Sequence, residues 1–226
     1  MPFDPFGDFA TRGYLRNFAG EKDPEAIKHL EQQSFAANVL TALERLKTQP
    51  VLRYEHVLDT HRILFGSMYP WAGQDRASLA PELAIGKGGA FDLFAHPGDV
   101  RRAIEYGLAM GRDPQAMRDR PGEVLGTLAY AHPLLENNGR TIITVHTDMA
   151  RRASFHIAWH DIAKKPFLDA LTAELRKPGS TLDALIAPHI RSGPPDLSLT
   201  ATRLAANPGI NPVSARAGAG PSPGVS

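Results

Sequence analysis

Residues 131 to 140, Ala131-His132-Pro133-Leu134-Leu135-Glu136-Asn137-Asn138-Gly139-Arg140, gather an imidazole, a carboxylate, two carboxamides, a glycine and a guanidinium in one short stretch. Val124, Leu125, Leu128 and Ala129 recur upstream at helical spacing, so His132 falls where a core helix ends. Thr141 to Phe155 reads as helix again. Asn and Gly enter the positive-φ region at low cost, so Asn137-Asn138-Gly139 can turn successive backbone N–H groups to one side at a helix N-terminus. Such a turn attracts anions. Arg140 opposes the helix dipole if it is only structural, whereas a bound phosphate would give its charge a partner. Glu136 is a hard ligand suited to Mg²⁺, which commonly takes one or two carboxylates plus substrate phosphates. His132 is a base with a near-neutral ordinary pKa beside such a site. This chemistry points to transfer of a phosphate-containing group. The structural alternative is a plain helix-loop-helix corner in which His132 caps the first helix and Asn-Gly makes the turn.

The same stretch resembles the signature of the Fic family, HPFx(D/E)GNGRxxR. His132, Pro133, Glu136, Asn138, Gly139 and Arg140 match it, while Leu134, Asn137 and Ile143 replace its Phe, first Gly and final Arg. Two further segments support the resemblance. Tyr69-Pro70-Trp71-Ala72-Gly73-Gln74-Asp75-Arg76 looks like the family's YxWAGxxR element, and Gly13-Tyr14-Leu15-Arg16-Asn17 is similar to an N-terminal segment of bacterial members. The resemblance implies transfer of AMP from ATP to a Ser, Thr or Tyr hydroxyl of a target protein. By position, His132 would be the general base and Glu136 the Mg²⁺ ligand. Asn137, Asn138, Gly139 and Arg140 would hold the nucleotide phosphates. Ile143 in place of the motif's second Arg leaves other donors open, since the fold also supports transfer of UMP, phosphocholine and phosphate, and it leaves open a binding module without turnover. Many relatives carry an inhibitory (S/T)xxxE(G/N) helix. Here the only Glu followed by Gly or Asn is Glu136 itself, so restraint would come from a separate antitoxin-like protein, as for a toxin, or be unnecessary, as for an effector.

The elements that must carry this loop are mostly helical. Asp23 as N-cap and Pro24 at the first position start a helix whose apolar face is Ile27, Leu30, Phe35, Val39, Leu40, Leu43 and Leu46. Arg53 to Phe65 is a second helix, with His61 inward as a hydrogen-bonded core histidine. Trp71 is a core anchor, and Arg76 a surface cation or a salt-bridge partner. Asp99 and Pro121 start two more helices. His156 and His160 stand four apart, a zinc-compatible spacing on a helix, yet no third ligand accompanies them. The resemblance implies a β-hairpin flap over about residues 76–96 that holds a target peptide by strand addition through Ile85, Gly86, Lys87 and Gly88, and the local sequence offers Leu83-Ala84-Ile85 and Phe91-Asp92-Leu93-Phe94 as strands around a Gly86-Lys87-Gly88-Gly89 turn.

The expected architecture is therefore a mostly α Fic-type helical bundle over residues 1–192, with a small β-hairpin flap and an active-site loop at 132–140. The Gly-, Pro- and Ala-rich residues 193–226 are expected to form a disordered tail. A formal charge of +1 argues against a basic nucleic-acid face. The absence of cysteine excludes disulfides, thiolate zinc sites and Cys nucleophiles. No apolar run approaches the length of a membrane span, so the expectation is a soluble, cytoplasmic protein, delivered to another cell if it is an effector.

Overall fold

The computed structural model describes residues 14–81, 93–179 and 181–207. Ten α-helices and one two-stranded sheet are present among them. Helix α1 (Pro24–Lys47) starts as its sequence demands: the Asp23 carboxylate accepts from the N–H groups of Glu25 and Ala26, and Pro24 occupies the first turn. Helix α2 (Tyr54–Phe65) ends at Gly66 and leads through the Trp71 turn into a four-residue helix, α3 (Arg76–Leu79). Helices α4 (Val100–Met110), α5 (Pro114–Asp119) and α6 (Pro121–Ala131) follow, and α6 delivers His132. After the loop comes α7 (Asn138–Arg152), then β1 (Phe155–Ile157), α8 (Lys164–Arg176), α9 (Thr181–Ile186), β2 (Ile190–Ser192) and α10 (Leu197–Ala206).

Helix α7 is the axis of the bundle. Residues 138 to 150 are all buried, packed against α1, α2, α6 and β1. A helix enclosed on every side must satisfy its polar groups internally. Thr144 and Thr147 donate to the carbonyls of Arg140 and Ile143 at 2.7 and 2.8 Å, and the Trp159 indole donates to the Thr147 hydroxyl at 3.1 Å. Asp148 at the far end is ion-paired with Arg151 and Arg152, at 2.7 and 2.6 Å. Arg152 reaches on to the carbonyls of Leu46 and Gln49, capping the end of α1. Close approach elsewhere requires glycine: a Cβ on Gly122 would lie 2.4 Å from the Asp183 nitrogen, where α6 meets α9.

Several expectations are corrected. Helix α7 stops at Arg152 rather than Phe155, because Ser154 turns the chain with φ 61° into β1. The sheet is not the expected flap: β1 pairs antiparallel with β2, Phe155 opposite Ser192 and Ile157 opposite Ile190. The 76–96 segment opens with the short helix α3, and a 3₁₀ turn at Pro97–Asp99 follows it. Ile85, Gly86, Lys87 and Gly88 lie outside the described residues. The expected tail contains an ordered helix, α10. Asp196 caps it, and Ala201 and Leu204 bury one face against α1. Low hydrophobicity hid that stripe, which spans Leu197, Ala201 and Leu204 at helical spacing. Residues 208–226 lie outside the described residues. The four-residue spacing of His156 and His160 is not realised on a helix, since His156 belongs to β1 and His160 to a 3₁₀ turn beside Asp161.

Candidate active site

Helix α6 ends with its last carbonyls and His132 gripped from outside. His132 adopts the left-handed region, φ 43° and ψ 60°, a conformation that costs on the order of 1 kcal/mol for a non-glycine residue. Arg76 overdetermines it. The Arg76 guanidinium donates to the His132 carbonyl at 2.6 Å, to the Ala131 carbonyl at 3.4 Å and to the Ala95 carbonyl. Its backbone N–H donates to the Pro133 carbonyl at 2.8 Å. Arg76 is 1% exposed, so it is not a surface cation, and among the described residues its guanidinium bonds to carbonyls. It is the C-cap of α6, answering carbonyls that a helix end leaves unpaired.

The His132 imidazole is buried, with its centroid 4.2 Å from that of Phe94. Burial, and secondarily the Arg76 charge, pull its pKa down to about 3. The ring is therefore neutral at physiological pH, the state a proton acceptor requires. It lines a pocket together with Asn138 and Gly139 at the start of α7 and with Leu125, Ile143 and Phe167. Base and helix N-terminus thus face one space. The first intrahelical bond of α7 is the Thr141 N–H to the Asn137 carbonyl at 3.1 Å. The N–H groups before it are those that a helix leaves for an outside acceptor.

The loop between these helices holds itself open. Asn137 takes φ 60° and ψ 23°, as expected of an asparagine replacing glycine. The Asn138 side chain accepts from the Leu134 N–H at 2.9 Å and donates to the Leu134 carbonyl at 2.8 Å. Its carboxamide is thus a brace, and only its backbone remains for a phosphate. Leu134 and Leu135 are anchored in the core. Asn137 and Arg140 turn their side chains away from the pocket. Arg140 is 4% exposed and pairs with Glu31 of α1 at 2.7 Å, above the rings of Phe35 and Phe65. Arg140, expected as a cationic phosphate clamp, has its charge met here by a buried carboxylate and apolar rings across the interface.

Glu136 is partly exposed. Loss of water around it, and next the Glu31 carboxylate, push its pKa above the usual carboxylate range. Among the described residues no cluster of three or more His, Cys, Asp or Glu could hold a metal unaided. Glu136 is the loop carboxylate that would hold Mg²⁺, an ion usually carried by one or two carboxylates together with substrate phosphates.

Glu31 and the capping role of Arg76 escaped the sequence reading. The signal for Glu31 was present, because it falls four residues after Ile27 and four before Phe35, a charge on the apolar stripe of α1.

No family model matches the chain. The protein adenylyltransferase VbhT of Bartonella schoenbuchensis is 28% identical over 191 residues, covering 81% of this chain and 38% of that protein. The chain thus spans well under half the length of this curated relative. The probable protein adenylyltransferase y4lH of Sinorhizobium fredii is 28% identical over 166 residues, covering 70% of this chain and 81% of that protein. Among solved structures, the N-terminal Fic domain of a VirB-translocated Bep effector from Bartonella quintana superposes with a TM-score of 0.65, at 19% identity over 84% of this chain and 93% of that one. The BepC protein of Bartonella tribocorum, solved with bound AMPPNP, gives 0.63 at 17% identity, over 79% and 92%. Such identities speak to the fold. With the motif, the loop and the backbone in agreement, the chain is a Fic-fold protein similar in sequence to protein adenylyltransferases.

Proposed function

We propose that this domain transfers AMP from ATP to the hydroxyl of a Ser, Thr or Tyr in a target protein. The observation that carries this reading is the shared pocket of His132 and the start of α7: a neutral base stands beside the first-turn N–H groups of that helix. The target hydroxyl oxygen attacks the α-phosphorus and forms the new P–O bond. The bond from the α-phosphorus to the bridging oxygen breaks, and pyrophosphate leaves with its electron pair. His132 takes the hydroxyl proton. The backbone N–H groups of Asn138 and Gly139, at the positive end of α7, hold phosphate oxygens where charge accumulates. Arg76 keeps the imidazole in place, while Arg140 steadies the loop from beneath. Glu136 would hold Mg²⁺, which supplies charge neutralisation on the phosphates when bound.

ATP radiolabelled on the α-phosphate, incubated with a cell lysate and Mg²⁺, tests the reading. Wild type labels a target band; His132→Ala retains ATP binding and labels nothing. Unchanged labelling by His132→Ala rejects the base assignment. A second donor reading is favoured by Ile143, which puts an apolar side chain in the pocket at a position where the family motif has Arg. Labelled UTP, CTP and GTP in the same assay, together with a phosphocholine donor, separate the two; binding without any labelling identifies a module without turnover. Regulation by a separate antitoxin-like protein accords with the missing inhibitory motif, and growth arrest by wild type but not by His132→Ala tests it. Delivery as an effector accords with the translocated Bep neighbours. Among the described residues no helix is long and apolar enough to cross a membrane.

A further inference from the structure

Behind the loop, four buried polar side chains from α1, the Trp71 turn and the start of α7 close a network. Glu31 of α1 is the hub. One carboxylate oxygen accepts from the Asn137 carboxamide at 2.7 Å and from the Tyr69 hydroxyl at 2.8 Å. The other accepts from the Arg140 guanidinium at 2.7 Å. Arg140 in turn donates to the Asn137 side-chain oxygen. The Asn137 carboxamide is therefore held at both ends, its nitrogen by Glu31 and its oxygen by Arg140. Glu31, Tyr69, Asn137 and Arg140 are each at most 5% exposed.

Asn137 is also the residue whose left-handed backbone aims the first N–H groups of α7 at the pocket. Asparagine tolerates this conformation without requiring it. Something must select it, and the doubly held side chain does so. From this geometry we infer that Glu31 is a positioning residue for the phosphate-binding turn, acting through Asn137, although it stands on a different helix and touches no reacting atom. The inference deepens the nucleotide reading of the loop and rests on it. The competing role is purely structural, with Glu31 only neutralising the buried charge of Arg140.

Isothermal calorimetry with ATP and Mg²⁺ on the full chain separates the two roles, using Glu31→Ala, Asn137→Gly and the double variant. Glycine adopts positive φ with no side chain to brace, so it disconnects the turn from Glu31. Glu31→Ala is expected to weaken ATP binding by roughly tenfold or more when Asn137 is present, as misaimed binding groups do. In the Asn137→Gly background the same change should weaken binding by less than about threefold. The fall in melting temperature should be alike in both backgrounds, because the unpaired Arg140 remains in each. Equal loss of affinity in both backgrounds overturns the positioning role and leaves the structural one. Should Glu31→Ala not fold, Asn137→Ala keeps the Glu31–Arg140 pair and is expected to show weaker ATP binding with faster amide exchange at residues 138–140; wild-type affinity and exchange overturn the inference. A wild type that binds ATP while Glu31→Ala binds it equally well removes only the positioning role, whereas a wild type that binds no nucleotide removes the nucleotide reading as well.

Discussion

Acid should unfold this protein through its buried histidines. His61, His132 and His146 are all buried, and burial is the first cause holding their pKa values at about 3, 3 and 4 rather than the ordinary 6.5. A depressed folded-state pKa means that the unfolded chain takes up protons which the folded chain refuses. The stability is therefore fully present above pH 6.5 and is lost as pH falls toward 4 and 3. Each unit of pKa difference is worth about 1.4 kcal/mol. Between about pH 7.5 and pH 5, each histidine then removes about 2 kcal/mol, and the three together about 6 kcal/mol, comparable with the whole stability of many domains. Glu136 runs the other way: its raised pKa favours the folded state as pH falls, so 6 kcal/mol is about the upper limit for the sum. Urea unfolding at a series of pH values measures the slope directly. His146→Phe supplies the internal control, since it lowers absolute stability by breaking the 2.8 Å contact to the Pro121 carbonyl yet should flatten the pH dependence by about 2 kcal/mol over the same range. A stability that stays level from neutrality to pH 5, or a slope unmoved by His146→Phe, would refute the assignment of neutral buried imidazoles.

Two further substitutions probe what positions the site. Arg76→Leu leaves the carbonyls of Ala131, His132 and Ala95 without their donor; unsatisfied buried groups cost about 1–3 kcal/mol each, so a lower melting temperature and loss of AMP transfer out of proportion to ATP binding are expected. Equal transfer rates would show that His132 does not need its cap. Gly122→Ala places a methyl 2.4 Å from the Asp183 nitrogen and should cost about 1–3 kcal/mol by forcing α6 from α9; an unchanged denaturation midpoint would contradict that packing.

Helix starts were legible because they depend on neighbours in the chain. Asp23-Pro24 supplies a capping carboxylate and a preset φ at once, and Pro121 a preset φ, and both begin helices. The loop from His132 to Arg140 was legible for the same reason: an apolar helical run ends, Asn-Asn-Gly permits the reversal, and a second run begins. The local sequence did not contain the destination of each charge. Arg140 seemed destined for the phosphate because its partner Glu31 lies 109 residues away, and only the packing of α1 against α7 brings the two together. Arg76 likewise carries no local sign of its role as donor to the carbonyls that end α6, 55 and 56 residues away. Strand pairing of Phe155–Ile157 with Ile190–Ser192 and the docking of Leu197–Ala206 on α1 are likewise long-range outcomes, decided by which apolar faces remain to be covered. Sequence alone determined which functional groups this loop carries and where along the chain it sits. Tertiary structure decided which of its side chains line the pocket and which brace the loop, because a buried charge must find its partner across the core and that partner is seldom its neighbour in the chain.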